Sequence, residues 1–104
     1  MTQVAIVQEE LALDRITAIL VRALSGKSCR VYLFGSRATG TAHPTSDFDV
    51  AVLADDDIRR ELSLARELLE ESNIPFKVDV VDLRLTSPAF QAKTQIQGVL
   101  LWKN

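Results

Sequence analysis

Apolar and polar positions alternate along this chain with two different periods, and the switches between them outline its elements. Leu13, Ile16, Leu20 and Leu24 recur at three- and four-residue intervals with Asp14, Arg15 and Arg22 between them, which predicts an amphipathic helix from about Glu9 to Leu24. Val4 to Val7 either extend that helix or fray from it, and Gly26 is its natural stop because a residue without Cβ accepts the left-handed closing conformation. Arg30 to Phe34 is a short β-branched and aromatic run and reads as a strand ending at Gly35. Phe48 to Leu53 is a second apolar run and reads as a buried strand.

The second half repeats the pattern. Ile58, Leu62, Ala65 and Leu69 form one helical stripe, opened by Asp55-Asp56-Asp57, whose charges suit the positive end of a helix, and closed at Asn73. Phe76 to Val81 reads as a third strand. Ser87-Pro88 has the form of a cap followed by proline at the first helical position, predicting a last helix through Phe90 and Ile96 that ends at Gly98, with Val99 to Trp102 as a terminal strand or apolar tail. The order helix, strand, strand, helix, strand, helix, strand predicts an α/β or α+β domain over residues 1–104, a small mixed sheet with helices on one face.

Chemistry concentrates between the first two strands, in Gly35-Ser36-Arg37-Ala38-Thr39-Gly40-Thr41-Ala42-His43-Pro44-Thr45-Ser46-Asp47-Phe48-Asp49. A strand that runs into a glycine turn is a phosphate-site candidate. If Ser36 to Ala38 begin a helical turn, their unpaired N–H groups and the Ser36 hydroxyl can meet phosphate oxygens. Side chains alternate along a strand, so Asp47 and Asp49 share one face while Phe48, Val50 and Val52 share the other. Two adjacent carboxylates repel unless a cation lies between them, and hard oxygen donors suit Mg²⁺, which also takes phosphate oxygens as ligands. The blander account makes Ser46-Asp47 a capped turn and Gly35-Ser36 an ordinary strand end. On the third strand, parity places Asp79 on the face opposite Phe76, Val78 and Val80, whereas Asp82 shares their face, so Asp79 is the better third carboxylate, with Lys77 beside it.

Gly35-Ser36, ten residues, then Asp47-Phe48-Asp49 resembles the signature of the nucleotidyltransferase superfamily that includes DNA polymerase beta. The wider run GSRATGTAHPTSDFDVAV is similar to the minimal (MNT-type) nucleotidyltransferases, small proteins paired as antitoxins with HEPN toxins. The resemblance implies a polymerase beta-like fold, and a third aspartate on a neighbouring strand, matching Asp79. It also implies AMP transfer from ATP to a hydroxyl of a HEPN-type partner protein. Asp47, Asp49 and Asp79 would then be catalytic and hold two Mg²⁺ ions, and Gly35, Ser36 and Arg37 would bind the nucleotide. Two other readings stand beside it: an antitoxin that only masks its toxin, with the apolar tail and Trp102 as contact surface, and a small-molecule nucleotidyltransferase, whose aminoglycoside-type members carry an additional helical domain.

Composition narrows the partners. A net charge of −2, with the cations scattered among acids, lacks the basic face that polynucleotide binding requires. No apolar run spans a membrane and no signal pattern opens the chain, so the expected setting is cytoplasmic. The single cysteine, Cys29, forms no internal disulfide and reads as a quiet thiol, and His43 reads as a solvated loop residue.

Overall fold

The computed structural model describes residues 2–43 and 46–104; Met1, and Pro44 and Thr45 of the glycine–aspartate loop, lie outside the described residues. The elements are α1 (Thr2–Ala23), β1 (Cys29–Phe34), α2 (Ser36–Thr39), β2 (Phe48–Ala54), α3 (Arg59–Glu71), β3 (Val78–Asp82), a 3₁₀ turn (Leu83–Leu85), α4 (Pro88–Gln97) and β4 (Val99–Lys103). The four strands form one mixed sheet in the order β3-β2-β1-β4. β1 pairs antiparallel with β2 and β4, and β2 pairs parallel with β3. A parallel neighbour needs a crossover, and α3 supplies it.

Strand parity sorts the sheet into two faces. Val31 and Leu33, Phe48, Val50 and Val52, and Val80 point toward α1 and α3 and join one core cluster with Ile16, Leu20, Leu24, Ile58 and Leu62. Ile16, Leu20 and Leu24 are fully excluded from solvent, each stabilising the fold by about 1.5–3 kcal/mol relative to exposure. The expected helical stripes are therefore the buried ones. The opposite face holds a smaller cluster, Tyr32, Ala51 and Leu83, against which Phe34, Val81 and Phe90 pack. The helical cover expected on one face is α1 and α3; α4 and the 3₁₀ turn stand on the other.

Boundaries differ from the sequence expectation at three places. α1 begins at Thr2, so the segment containing Val4 to Val7 continues the helix. α3 ends at Glu71, two residues before Asn73, because the Ser72 hydroxyl donates to the Leu69 carbonyl at 2.6 Å and competes with further helical bonding. β3 starts at Val78 rather than Phe76, yet Phe76 keeps the core-face parity and meets Phe48 edge-on, ring centroids 5.2 Å apart. In the Asp55-Asp56-Asp57 segment only Asp57 bonds to the start of α3, its carboxylate accepting the Arg59 backbone N–H at 3.0 Å, while the cap position itself is Ile58, which has no side-chain cap bond. The free edge of β3 is covered where Arg66 donates to the Val80 carbonyl at 2.8 Å.

Candidate active site

The aspartates gather at the end of β2 and β3 through register. Asp49 and Asp79 are directly paired in the parallel β2–β3 ladder, so their side chains leave the sheet on the same face, and Asp47 lies two residues before Asp49. The Phe48 N–H donates to the Lys77 carbonyl at 2.9 Å, which locks the start of β2 to the approach of β3. Burial, then the negative charges of Asp79 and Asp47, push the Asp49 carboxyl above the ordinary carboxylate range; Lys77 pulls the other way. Lys77 stands on the same face, its Nζ 3.9 Å from Asp79 Oδ1, in an exposed pair that screening makes weak.

Asp82 is excluded from this group by its own environment. It has core-face parity, is 8% exposed, and its Oδ1 accepts the Arg84 N–H at 3.2 Å, capping the 3₁₀ turn. An acid at core parity thus has a structural partner and faces away from Asp49.

Gly35 is the residue that fits the turn to the aspartates. Its φ of 74° and ψ of −157° lie in a region almost confined to glycine, and a Cβ built there would strike Asp49 Oδ2 and lie 3.3 Å from Asp49 Cγ. The glycine is therefore required twice, by backbone conformation and by the carboxylate behind it. Sequence reasoning supplied only the first requirement. Ser36 then opens α2, a single turn closed at Gly40, where φ is 79°.

The Arg37 side chain is engaged by the fold itself. Its guanidinium donates to the Ser46 carbonyl from Nη2 at 2.7 Å and from Nε at 3.0 Å, approaches Glu9 Oε1 at 3.4 Å, and stacks 4.1 Å from the Phe48 ring centroid and 5.0 Å from that of Phe76. The side chain is 6% exposed. Phe48 and Phe76 belong to the α1–α3 side of the sheet, so the Arg37 guanidinium lies on that side and pins the loop leading to Asp47. The reason is tertiary, since two aromatic faces and a carbonyl offer a delocalised cation more than solvent does. Ser46 closes the same loop, its Oγ accepting the His43 N–H at 2.8 Å, which is the side-chain-capped turn that the blander account expected of it. His43 is exposed, as expected.

Beside the Gly35 turn, on the aspartate face, opens a cleft of about 420 Å³, a volume in the range of small-ligand sites. α2 forms one wall with Ser36 and Thr39, and α4 the other with Phe90, Lys93 and Gln97. Sequence reasoning passed over α4. The available signal was spacing: Phe90, Lys93 and Gln97 recur every three to four residues, so they share one face of the helix.

In donor chemistry the three carboxylates fit a divalent cation, since they are hard oxygens brought to one face with their mutual repulsion uncompensated except by Lys77. Among the described residues they do not converge into a ready three-ligand cage.

Residues 22–104 match the polymerase beta nucleotidyltransferase family. The chain belongs to that family. Among relatives of this nucleotidyltransferase, the protein adenylyltransferase MntA of Shewanella oneidensis is 42% identical over 74 residues, covering 69% of this chain and 52% of its own. A probable protein adenylyltransferase MntA of Haemophilus influenzae is 34% identical over 93 residues, 86% of this chain and 75% of its own. The chain thus spans about half the length of the first relative and three quarters of the second. A crystal structure of a toxin–antitoxin with AMP-PNP superposes with a TM-score of 0.64 at 38% identity, covering 86% of this chain and 73% of the other. A tri-AMPylated Shewanella oneidensis HEPN toxin in complex with MNT antitoxin gives 0.63 at 32% identity, covering 91% and 72%.

Proposed function

We propose that this nucleotidyltransferase transfers AMP from ATP to a hydroxyl of a partner protein, and that the partner is a HEPN-type toxin neutralised by the modification. The observation that carries the reading is the pairing of Asp49 with Asp79 across β2 and β3, with Gly35 pressed against Asp49. Like charges brought together on one face of the sheet destabilise the fold, whereas nucleotidyl transfer needs them. The relatives support the acceptor class, since they are protein adenylyltransferases and their solved complexes include an AMPylated HEPN toxin.

In this mechanism Asp47, Asp49 and Asp79 would hold Mg²⁺, which would supply charge neutralisation at the reacting phosphate. The Ser36 hydroxyl and the Gly35 turn bind the distal phosphates in the cleft. Asp79, on the edge strand β3, accepts the proton of the acceptor hydroxyl as its oxygen bonds to the α-phosphorus. The bond from that phosphorus to the bridging oxygen breaks in line, and pyrophosphate leaves with the electron pair.

For the masking alternative, Trp102 is half-buried against the main core cluster, and Val99 and Leu100 on β4 and Ile96 on α4 add exposed apolar side chains at that end. The deciding experiment incubates the chain and its partner with ATP and Mg²⁺ and weighs both intact. Gain of one or more adenylyl groups on the partner, lost in the Asp47→Asn/Asp49→Asn variant, is the expected result. A partner fully inhibited yet unmodified would overturn catalysis in favour of masking.

A further inference from the structure

Resting on that reading, the geometry points to Lys93 as the cation that binds the departing pyrophosphate portion of the nucleotide. The cleft beside the Gly35 turn contains hydroxyls from Ser36, Thr39 and Thr41 but, among the described residues, its cationic lining is Lys93. The other two candidates are committed elsewhere. Arg37 is turned to the opposite side of the sheet onto Phe48 and Phe76, and Lys77 stands with Asp79, on a strand separated from the cleft by β2. The β- and γ-phosphates are anionic in the bound nucleotide and gain further charge as the bond to the α-phosphorus breaks, so a cation there binds the nucleotide before transfer as well as its departing portion.

α4 is built to hold that lysine in place. The Ser87 hydroxyl accepts the Phe90 N–H at 3.2 Å with Pro88 in the first turn, so the helix start is capped. Phe90 meets Phe34 edge-on at 5.6 Å, and Thr94, next to Lys93, is buried. At the far end Gly98 lies so close to β1 that a Cβ would come within 3.0 Å of the Leu33 carbonyl oxygen and would strike that of Thr94. Both ends of α4 are thus seated on β1, the strand that leads into Gly35, and Lys93 lines the cleft between.

The test uses the full chain and measures Mg–ATP affinity by titration calorimetry for the parent, Lys93→Met, Lys93→Arg and Asp47→Asn/Asp49→Asn, with AMP as competitor. Lys93→Met is expected to weaken Mg–ATP about 10- to 100-fold, the scale of one charge-assisted contact, and to leave AMP competition within about two-fold of the parent. Lys93→Arg should stay within about three-fold. Lys93 is exposed, so unfolding midpoints of both variants should match the parent and confirm that α4 is intact. Unchanged Mg–ATP affinity in Lys93→Met overturns the assignment, as does an equal loss in Met and Arg variants or an equal loss of AMP. A parent that fails to bind Mg–ATP overturns the functional reading itself, whereas parental binding that depends on Asp47 and Asp49 but ignores Lys93 overturns only this inference.

Discussion

Replacing Gly35 by alanine separates backbone strain from site geometry. At φ 74° and ψ −157° an L-residue with a Cβ is strained, at a cost of about 1–3 kcal/mol. The added methyl also meets Asp49, but the atom it strikes is the end of a short side chain that can rotate away. The collision is therefore relieved by moving the carboxylate rather than the strand, and its cost falls on the site more than on stability. Against a typical total of about 5–15 kcal/mol the variant still folds. Urea unfolding followed by the fluorescence of Trp102, the one tryptophan, should show a midpoint lowered by about 1 M. Gly40→Ala is the control: φ is 79° but nothing lies within 4 Å of its Cβ, so it should lose about 1–2 kcal/mol of stability and keep Mg–ATP binding. Gly35→Ala should lose metal-dependent binding by ten-fold or more, about 1.4 kcal/mol or beyond. Parental Mg–ATP affinity in Gly35→Ala would refute the claim that the glycine exists to make room for Asp49.

Arg37→Met should destabilise the chain by about 2–4 kcal/mol, from lost charge-assisted hydrogen bonds and ring stacking, and Arg37→Lys should not rescue it because a point charge reproduces neither; denaturant midpoints check both. Asp49 carries a folded-state pKa above its unfolded value, so its stabilising contribution in the metal-free chain is present at low pH and is lost as pH rises through that folded value. Asp49→Asn should therefore raise the metal-free melting temperature at pH 7 and flatten its pH dependence above the ordinary carboxylate range, while abolishing any stabilisation by Mg²⁺; a lower melting temperature would contradict the repulsion argument. Asp79→Asn should remove turnover, whereas Asp82→Asn should lower stability through the weakened cap of the 3₁₀ turn and leave turnover in place; side-by-side melting and adenylylation assays distinguish them.

The periodic signals were legible because they are local. Helical spacing identified the buried stripes of α1 and α3, and two-residue alternation put Asp47 and Asp49 opposite Phe48 before any neighbour was known. The same alternation separated Asp79 from Asp82, since no bulge interrupts β3. What spacing cannot convey is which strand lies next to which. The parallel pairing that brings Asp79 beside Asp49 spans thirty residues and depends on α3 crossing the sheet to bury Leu62 and Ala65. Arg37 illustrates the same limit: its sequence neighbours suggested phosphate, but Glu9, Phe48 and Phe76 converge on it only when α1 and the sheet close around the loop. Lys93 is the converse, a residue of no evident motif that acquires a cleft because Gly98 lets α4 settle against β1. Residue type and period determine which face a side chain takes within its own element; burial of apolar area between distant elements decides which faces meet, and the site exists only where they do.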